Sequence, residues 1–226
     1  MKPIDLYHGS KIILEHPYPC GGKPYNDYGY GFYCTRDLEL ANEWSCTEGG
    51  GGFANHYLLN MDGLRVLHLN TGQYHILNWL AILLQNRSFS VPEGIMSQAK
   101  TYLLDTFLPP YTDYDLIVGY RADDSYFKFS RAFLAGSISL EQLKQAMNLG
   151  KLGEQTVLKS ENAFAQLQFV DALPADYNVY FVRRQARDRR ADEDYRNLAS
   201  GPRVLEGTYI LDILRQGWKN DDARLR

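Results

Sequence analysis

Paired cysteines, excess charge of either sign and long apolar runs are all missing from this sequence of 226 residues, and each absence excludes a class of protein. Only three cysteines occur, Cys20, Cys34 and Cys46, none in a CxxC pair or beside a histidine at ligand spacing. Such a set builds neither a disulfide framework nor a structural zinc site, and it fits a reducing compartment. With 24 Lys plus Arg against 27 Asp plus Glu, the formal charge is −3, so electrostatics give no reason to expect nucleic acid as a partner. The longest apolar stretch, Leu77 to Leu84, is interrupted by Asn78 and stops at Gln85. The opening MKPIDLYHGSKIILEH has no apolar run of signal-peptide length. The expectation is a chain without a membrane span or Sec-type leader, cytoplasmic in the producing cell. No internal repeat is visible. What is present is 45% hydrophobic residues, with 17 Tyr and 10 Phe. A chain of this length can bury about 70% of its unfolded surface, which excludes disorder and suits one globular unit or two small ones.

The order of patterns predicts a mixed α+β chain. Ile4–His8 and Gly31–Thr35 read as strands, the second after the glycine-studded segment Tyr25–Tyr30. Asp37 is a candidate N-cap for a helix whose Leu38, Leu40, Ala41 and Trp44 share a face. Gly49–Gly52 is expected to be a mobile loop leading into a strand pair, Ala54–Leu59 and Arg65–Leu69, turned at Asn60–Gly63. Gln73–Asn86 is apolar nearly all round and predicts a buried helix in which His75 is structural. Helices over Ser97–Phe107 and from the capping box Ser139–Gln142 to Leu149, with Gly150 as its C-cap, flank a strand at Asp115–Gly119. Gly153–Leu158 reads as a strand. Beyond Phe164, the pattern suggests a strand at Asn178–Arg183, a charged helix over Gln185–Leu198, a break at Gly201-Pro202 and a last helix over Thr208–Trp218. The alternating signs along Arg183–Arg196 are read as a solvated helix face.

Three separated pieces carry the chemical signal: Tyr7-His8-Gly9-Ser10, then GYGFYCT (residues 29–35) with LANEW (40–44), then Gly153-Glu154-Gln155-Thr156-Val157. Taken singly, each has a plain reading: His8 as a structural histidine, Tyr33 as core, Glu154 as a surface carboxylate. In this order together they resemble the diphtheria-toxin and PARP-like ADP-ribosyltransferases, in which a His-Gly-Ser/Thr strand, a Gly-x-Gly-apolar-Tyr strand and a late Glu serve one site. More narrowly, GKPYNDYGYGFYCT, DLIVGYRADDSYF and LGEQTVLKS resemble a bacterial family within that superfamily, with relatives among effectors delivered into host cells. The resemblance implies an ADP-ribosyltransferase fold, two packed and mostly antiparallel sheets forming an NAD cleft with flanking helices. It assigns residues 1–165 to the catalytic core and leaves 166–226 as a C-terminal extension on the same domain.

It also implies roles. NAD is the substrate and no metal is needed. Glu154 would hold the ribose 2′-hydroxyl and stabilise charge developing at C1′ as the nicotinamide bond breaks. Tyr33 and Trp44 would offer aromatic faces, and the Gly9 backbone would hydrogen-bond the nicotinamide amide. His8 would bind the adenosine-side ribose, with Ser10 at the same ribose or the diphosphate. Gly31, Phe32, Thr35 and Ala41 complete the expected NAD contacts.

The segment Arg121–Phe127 is read as a polar turn, either closed by an ion pair of Arg121 with Asp123 or Asp124, or placing Arg121 on the diphosphate. Asp123, Asp124, Tyr126, Phe127 and Gln155 are the expected acceptor-side residues. Leu152 stands where arginine-specific toxins carry Glu or Gln, so arginine modification is disfavoured, and no second Glu for polymer formation is identified. The expected activity is therefore mono-ADP-ribosylation of a protein acceptor, a hydroxyl side chain, with ubiquitin a candidate target by resemblance. A cognate antitoxin or immunity protein is a further expected partner. The alternatives are an NAD glycohydrolase or nucleic-acid-modifying toxin, and an inactive NAD- or ADP-ribose-binding scaffold.

Overall fold

The computed structural model describes residues 2–19, 21–122, 124–149, 153–200 and 207–225. Its strands divide between two sheets. The first contains β1 (Ile4–Ser10), β3 (Phe53–Leu59) and β7 (Leu167–Pro174), in the order β1-β3-β7 and antiparallel throughout. The second contains β2 (Phe32–Cys34), β4 (Val66–His68), β5 (Leu116–Tyr120) and β6 (Glu154–Leu158), in the order β2-β6-β5-β4. Its β4–β5 pair is parallel and its other pairs are antiparallel.

Period-two alternation makes the second sheet the centre of the molecule, because it buries both faces. Leu116 and Leu158 meet Leu6, Tyr57 and Leu59 of the first sheet, with Phe32 and Cys34. Their neighbours Ile117 and Val157 point the other way, into a larger core with the helices. At the heart of that core lies α2 (Ile76–Asn86), in which every residue from Ile76 to Leu84 is buried. Each such Leu or Ile contributes about 1.5–3 kcal/mol by leaving water. His75 caps the helix, approaches the Asn220 carbonyl at 3.2 Å and packs edge-on against Phe107, the structural role expected of it. The helices α3 (Ile95–Phe107), α4 (Asp124–Leu134), α5 (Leu140–Leu149) and α8 (Ile210–Gln216) close this side. Among the described residues, no helix is long and apolar enough to cross a membrane.

One junction positions the site. Asp37 caps α1 (Leu38–Ser45), its Oδ1 accepting from the Glu39 and Leu40 amides at 2.9 and 3.3 Å. The helix lies so close to β1 that a Cβ on Gly9 would stand 2.1 Å from the Ala41 carbonyl oxygen. Glycine is therefore required at residue 9 by packing.

Several expectations are corrected. Asn60–Gly63 does not turn a hairpin, because β3 and β4 belong to different sheets and the segment carries the chain between them. Gly49–Gly52 is a tied turn, with Thr47 and Gly50 exchanging both backbone bonds at 2.9 and 3.1 Å. Arg121–Ser125 is not one long turn, since α4 starts at Asp124 and buries Phe129 and Phe133. Asn178–Arg183 is helical: it forms the start of α7 (Tyr177–Ser200), after the short α6 (Glu161–Ala165) and β7. The charged face of α7 is solvated in part, with Arg189, Arg190 and Glu193 exposed, while its other side docks on the core. Arg183 pairs with Glu39, Arg187 with Glu43, Lys128 of α4 with Asp192, and Tyr195 packs on Phe129 at 5.3 Å. Gly150 and Gly201-Pro202 lie outside the described residues.

Candidate ligand cleft

Between the end of β1, the loop before β2, the end of α1 and the exit of β5 lies a cleft of about 610 Å³. His8, Gly31, Phe32, Tyr33, Trp44, Arg121 and Gln155 all line it, so three sequence-distant pieces meet in one place.

His8 Nδ1 lies 2.7 Å from the Tyr33 carbonyl oxygen. A carbonyl only accepts, so Nδ1 carries the proton and a neutral ring presents Nε2 as an acceptor. Burial pushes the imidazole pKa below its ordinary 6.5, against the opposing pull of that carbonyl, which keeps the ring neutral near pH 7. Phe32 packs on it at 4.4 Å. The Tyr33 hydroxyl donates to the Gly29 carbonyl at 2.7 Å and accepts from the Tyr28 amide at 3.0 Å. Its ring is thereby fixed as a face for the cleft, and burial raises its pKa, so it stays protonated. Trp44 is covered by the Arg121 guanidinium, 4.4 Å from its ring centroid.

The polar floor is a network that the sequence reading did not foresee. Asp27 Oδ1 accepts from Arg87 Nε at 2.8 Å, while its Oδ2 accepts from the Ala122 amide at 2.9 Å and from Gln155 Nε2 at 3.1 Å. Burial raises the Asp27 pKa, and Arg87, the Ala122 amide and Gln155 pull it back down. Gln155 Nε2 also donates to the Tyr120 carbonyl at 3.2 Å. Both partners are acceptors, so the amide orientation is fixed with Nε2 toward Asp27 and the Tyr120 carbonyl. The available signal was the single carboxylate inside a Gly- and Tyr-rich segment, PYNDYGYG; nothing marked Arg87, which ends an apolar helix.

Glu154 is the main correction. It is exposed, absent from the cleft lining, and its Oε1 accepts from Asn70 Nδ2 at 2.6 Å. Consecutive strand residues point to opposite faces, so bringing Gln155 into the cleft turns Glu154 out of it. Other expected contacts are structural. Gly9 and Ala41 are pressed together at the β1–α1 junction. Ser10 Oγ accepts from Asn55 Nδ2 at 3.0 Å and donates to the Ile12 carbonyl. Thr35 is buried and accepts from the Asp37 amide at 3.1 Å. None of these four lines the cleft. Phe127 packs on Phe89 at 5.1 Å and does not itself line the cleft. Asp123 and the side chains of Asp124 and Tyr126 lie outside the described residues.

Among the described residues, four cationic side chains, Lys23, Arg87, Arg121 and Arg184, line the cleft against one carboxylate, Asp27. In a chain of net charge −3, this concentrates positive potential where the aromatic faces are. Among the described residues, no cluster of three His, Cys, Asp or Glu could hold a metal ion. A family model described as "protein of unknown function (DUF3990)" matches residues 4–169. No curated protein and no solved structure matches the chain.

Proposed function

We propose that this chain, which belongs to the DUF3990 family, is an NAD-dependent mono-ADP-ribosyltransferase acting on a protein side chain. The observation that carries this reading is the cleft itself, in which His8, Tyr33 with Trp44, and Arg121 come from separated segments to line one volume of about 610 Å³. Its chemistry suits a dinucleotide. The neutral His8 offers Nε2 to ribose hydroxyl donors, Tyr33 and Trp44 offer aromatic faces, and guanidinium forks suit a diphosphate.

In transfer, the bond from ribose C1′ to the nicotinamide nitrogen breaks with its electron pair leaving on nicotinamide. The acceptor hydroxyl oxygen bonds to C1′ and its proton passes to solvent water. Gln155, whose amide is tied to the Asp27 carboxylate, would hold the 2′-hydroxyl through Oε1, in the role that the sequence resemblance gave to Glu154.

A second reading is favoured by the same residue. An amide oxygen brings no full charge to C1′, as suits a protein that binds NAD or ADP-ribose without turning it over. Nicotinamide release from NAD, followed with and without cell lysate and with protein-bound ADP-ribose read by mass, separates the two. The transferase predicts release and a lysate-dependent label, both reduced at least tenfold in Trp44→Leu, which removes a stacking face. Release without label makes the protein a hydrolase. ADP-ribose binding with no release makes it a scaffold.

A further inference from the structure

The segment matched by the family model stops at residue 169, yet the cleft continues beyond it. Arg184, on α7, lines the same cleft as His8 and Tyr33. It also lines a second groove, of about 700 Å³, between residues 47–49 and α7, so it stands where the two meet. Arg184 NH1 donates to the Cys46 carbonyl at 2.8 Å, at the C-cap of α1. Trp44, two residues earlier, carries the Arg121 guanidinium on its ring. Arg121 and Arg184 therefore flank the same end of α1.

The helix that presents Arg184 is fixed in place. One turn on either side of it, Tyr180 Oη donates to Glu39 at 2.9 Å and Arg187 pairs with Glu43; further along, Ala191 is buried. A guanidinium held by one hydrogen bond has donors left for a second partner, and its fork matches phosphate oxygens.

We propose that Arg184 and Arg121 clamp the diphosphate of the bound nucleotide, so that α7 forms a wall of the site and Arg184 is a binding residue. The proposal rests on the NAD reading and adds the residue that would select a diphosphate-bearing nucleotide over a neutral nucleoside. The competing role is structural: a cation at a helix C-terminus stabilises that end whatever lies in the cleft.

The test is calorimetric titration of the full chain and two variants, Arg184→Gln and the exposed, charge-matched control Arg190→Gln, with ADP-ribose, adenosine and inorganic pyrophosphate. The clamp predicts that Arg184→Gln weakens ADP-ribose and pyrophosphate by roughly tenfold, leaves adenosine unchanged and flattens the salt dependence, while Arg190→Gln matches the parent. Equal weakening of adenosine and ADP-ribose together with a lowered melting temperature would make Arg184 a helix cap and overturn the clamp, as would unchanged ADP-ribose affinity. If the parent binds pyrophosphate through Arg184 but not ADP-ribose, the clamp stands and the NAD reading falls. If it binds neither, both fall.

Discussion

At the scale of single residues, the site turns on two consecutive positions. Glu154 and Gln155 adjoin in sequence but leave β6 on opposite faces, so only Gln155 reaches the cleft, where Asp27 and the Tyr120 carbonyl lock its amide. The resemblance assigns the catalytic role to Glu154, as the glutamate that opens a late strand. Strand phase turns Gln155 rather than Glu154 toward the cleft lining, and phase was invisible until Gln155 had partners. His8 carries a prediction of its own. Burial lowers its pKa, so the unfolded chain takes up a proton near pH 6.5 while the folded chain remains neutral. The histidine therefore favours the folded state fully above about 6.5, and that contribution is lost as pH falls toward the lowered folded value. Protonation also removes the Nε2 acceptor, so affinity for ADP-ribose should drop on the acid side. Titrations downward from pH 8 check this: the parent should weaken on the acid side, while His8→Gln should bind more weakly at every pH with the acid limb flattened. An identical acid limb in His8→Gln would assign the titration to another group.

At the scale of elements, the β1–α1 junction sets the cleft wall, because Trp44 projects from a helix pressed onto Gly9. Gly9→Ala puts a methyl group into the Ala41 carbonyl, and overpacking of this kind costs roughly 1–3 kcal/mol. Denaturant melts should show that loss, with nucleotide affinity falling as Trp44 shifts; a neutral substitution would mean that the helix can back away freely. The same elements show what was legible in the chain. The Asp37 cap, the buried α2 and the strands bearing His8 and Tyr33 follow from local signals: a capping side chain, apolar residues on every face, and aromatic runs after glycines. What was lost depends on distant partners. Residues 178–183 read as a strand because Val179, Tyr180, Phe181 and Val182 have strand propensity, yet their helix is held by Glu39 and Glu43 of α1 through Arg183 and Arg187. The β4 strand was legible, but its partner was not, because pairing to β5 spans about 50 residues. Arg184 was hidden for a similar reason, as one arginine in a row whose alternating charges already explained it.

At the scale of the whole molecule, two sheets share one core and leave their open end to the cleft, whose positive lining contrasts with a slightly acidic chain. The family match and the sequence resemblance both end near the last strand, whereas the cleft draws its final cation from α7. The C-terminal extension is thus joined to the core by β7 in the first sheet, by α7 on α1 and α4, and by α8 in the helical core. The central claim is that this cleft, through Gln155 and not Glu154, acts on NAD. Its most direct test compares nicotinamide release and protein-bound ADP-ribose in the parent, Gln155→Ala and Glu154→Ala, with folding of each confirmed by melting. The account predicts that Gln155→Ala loses at least tenfold in both while Glu154→Ala stays within about twofold of the parent. Loss in Glu154→Ala with activity kept in Gln155→Ala would contradict it and return the reaction to the exposed carboxylate.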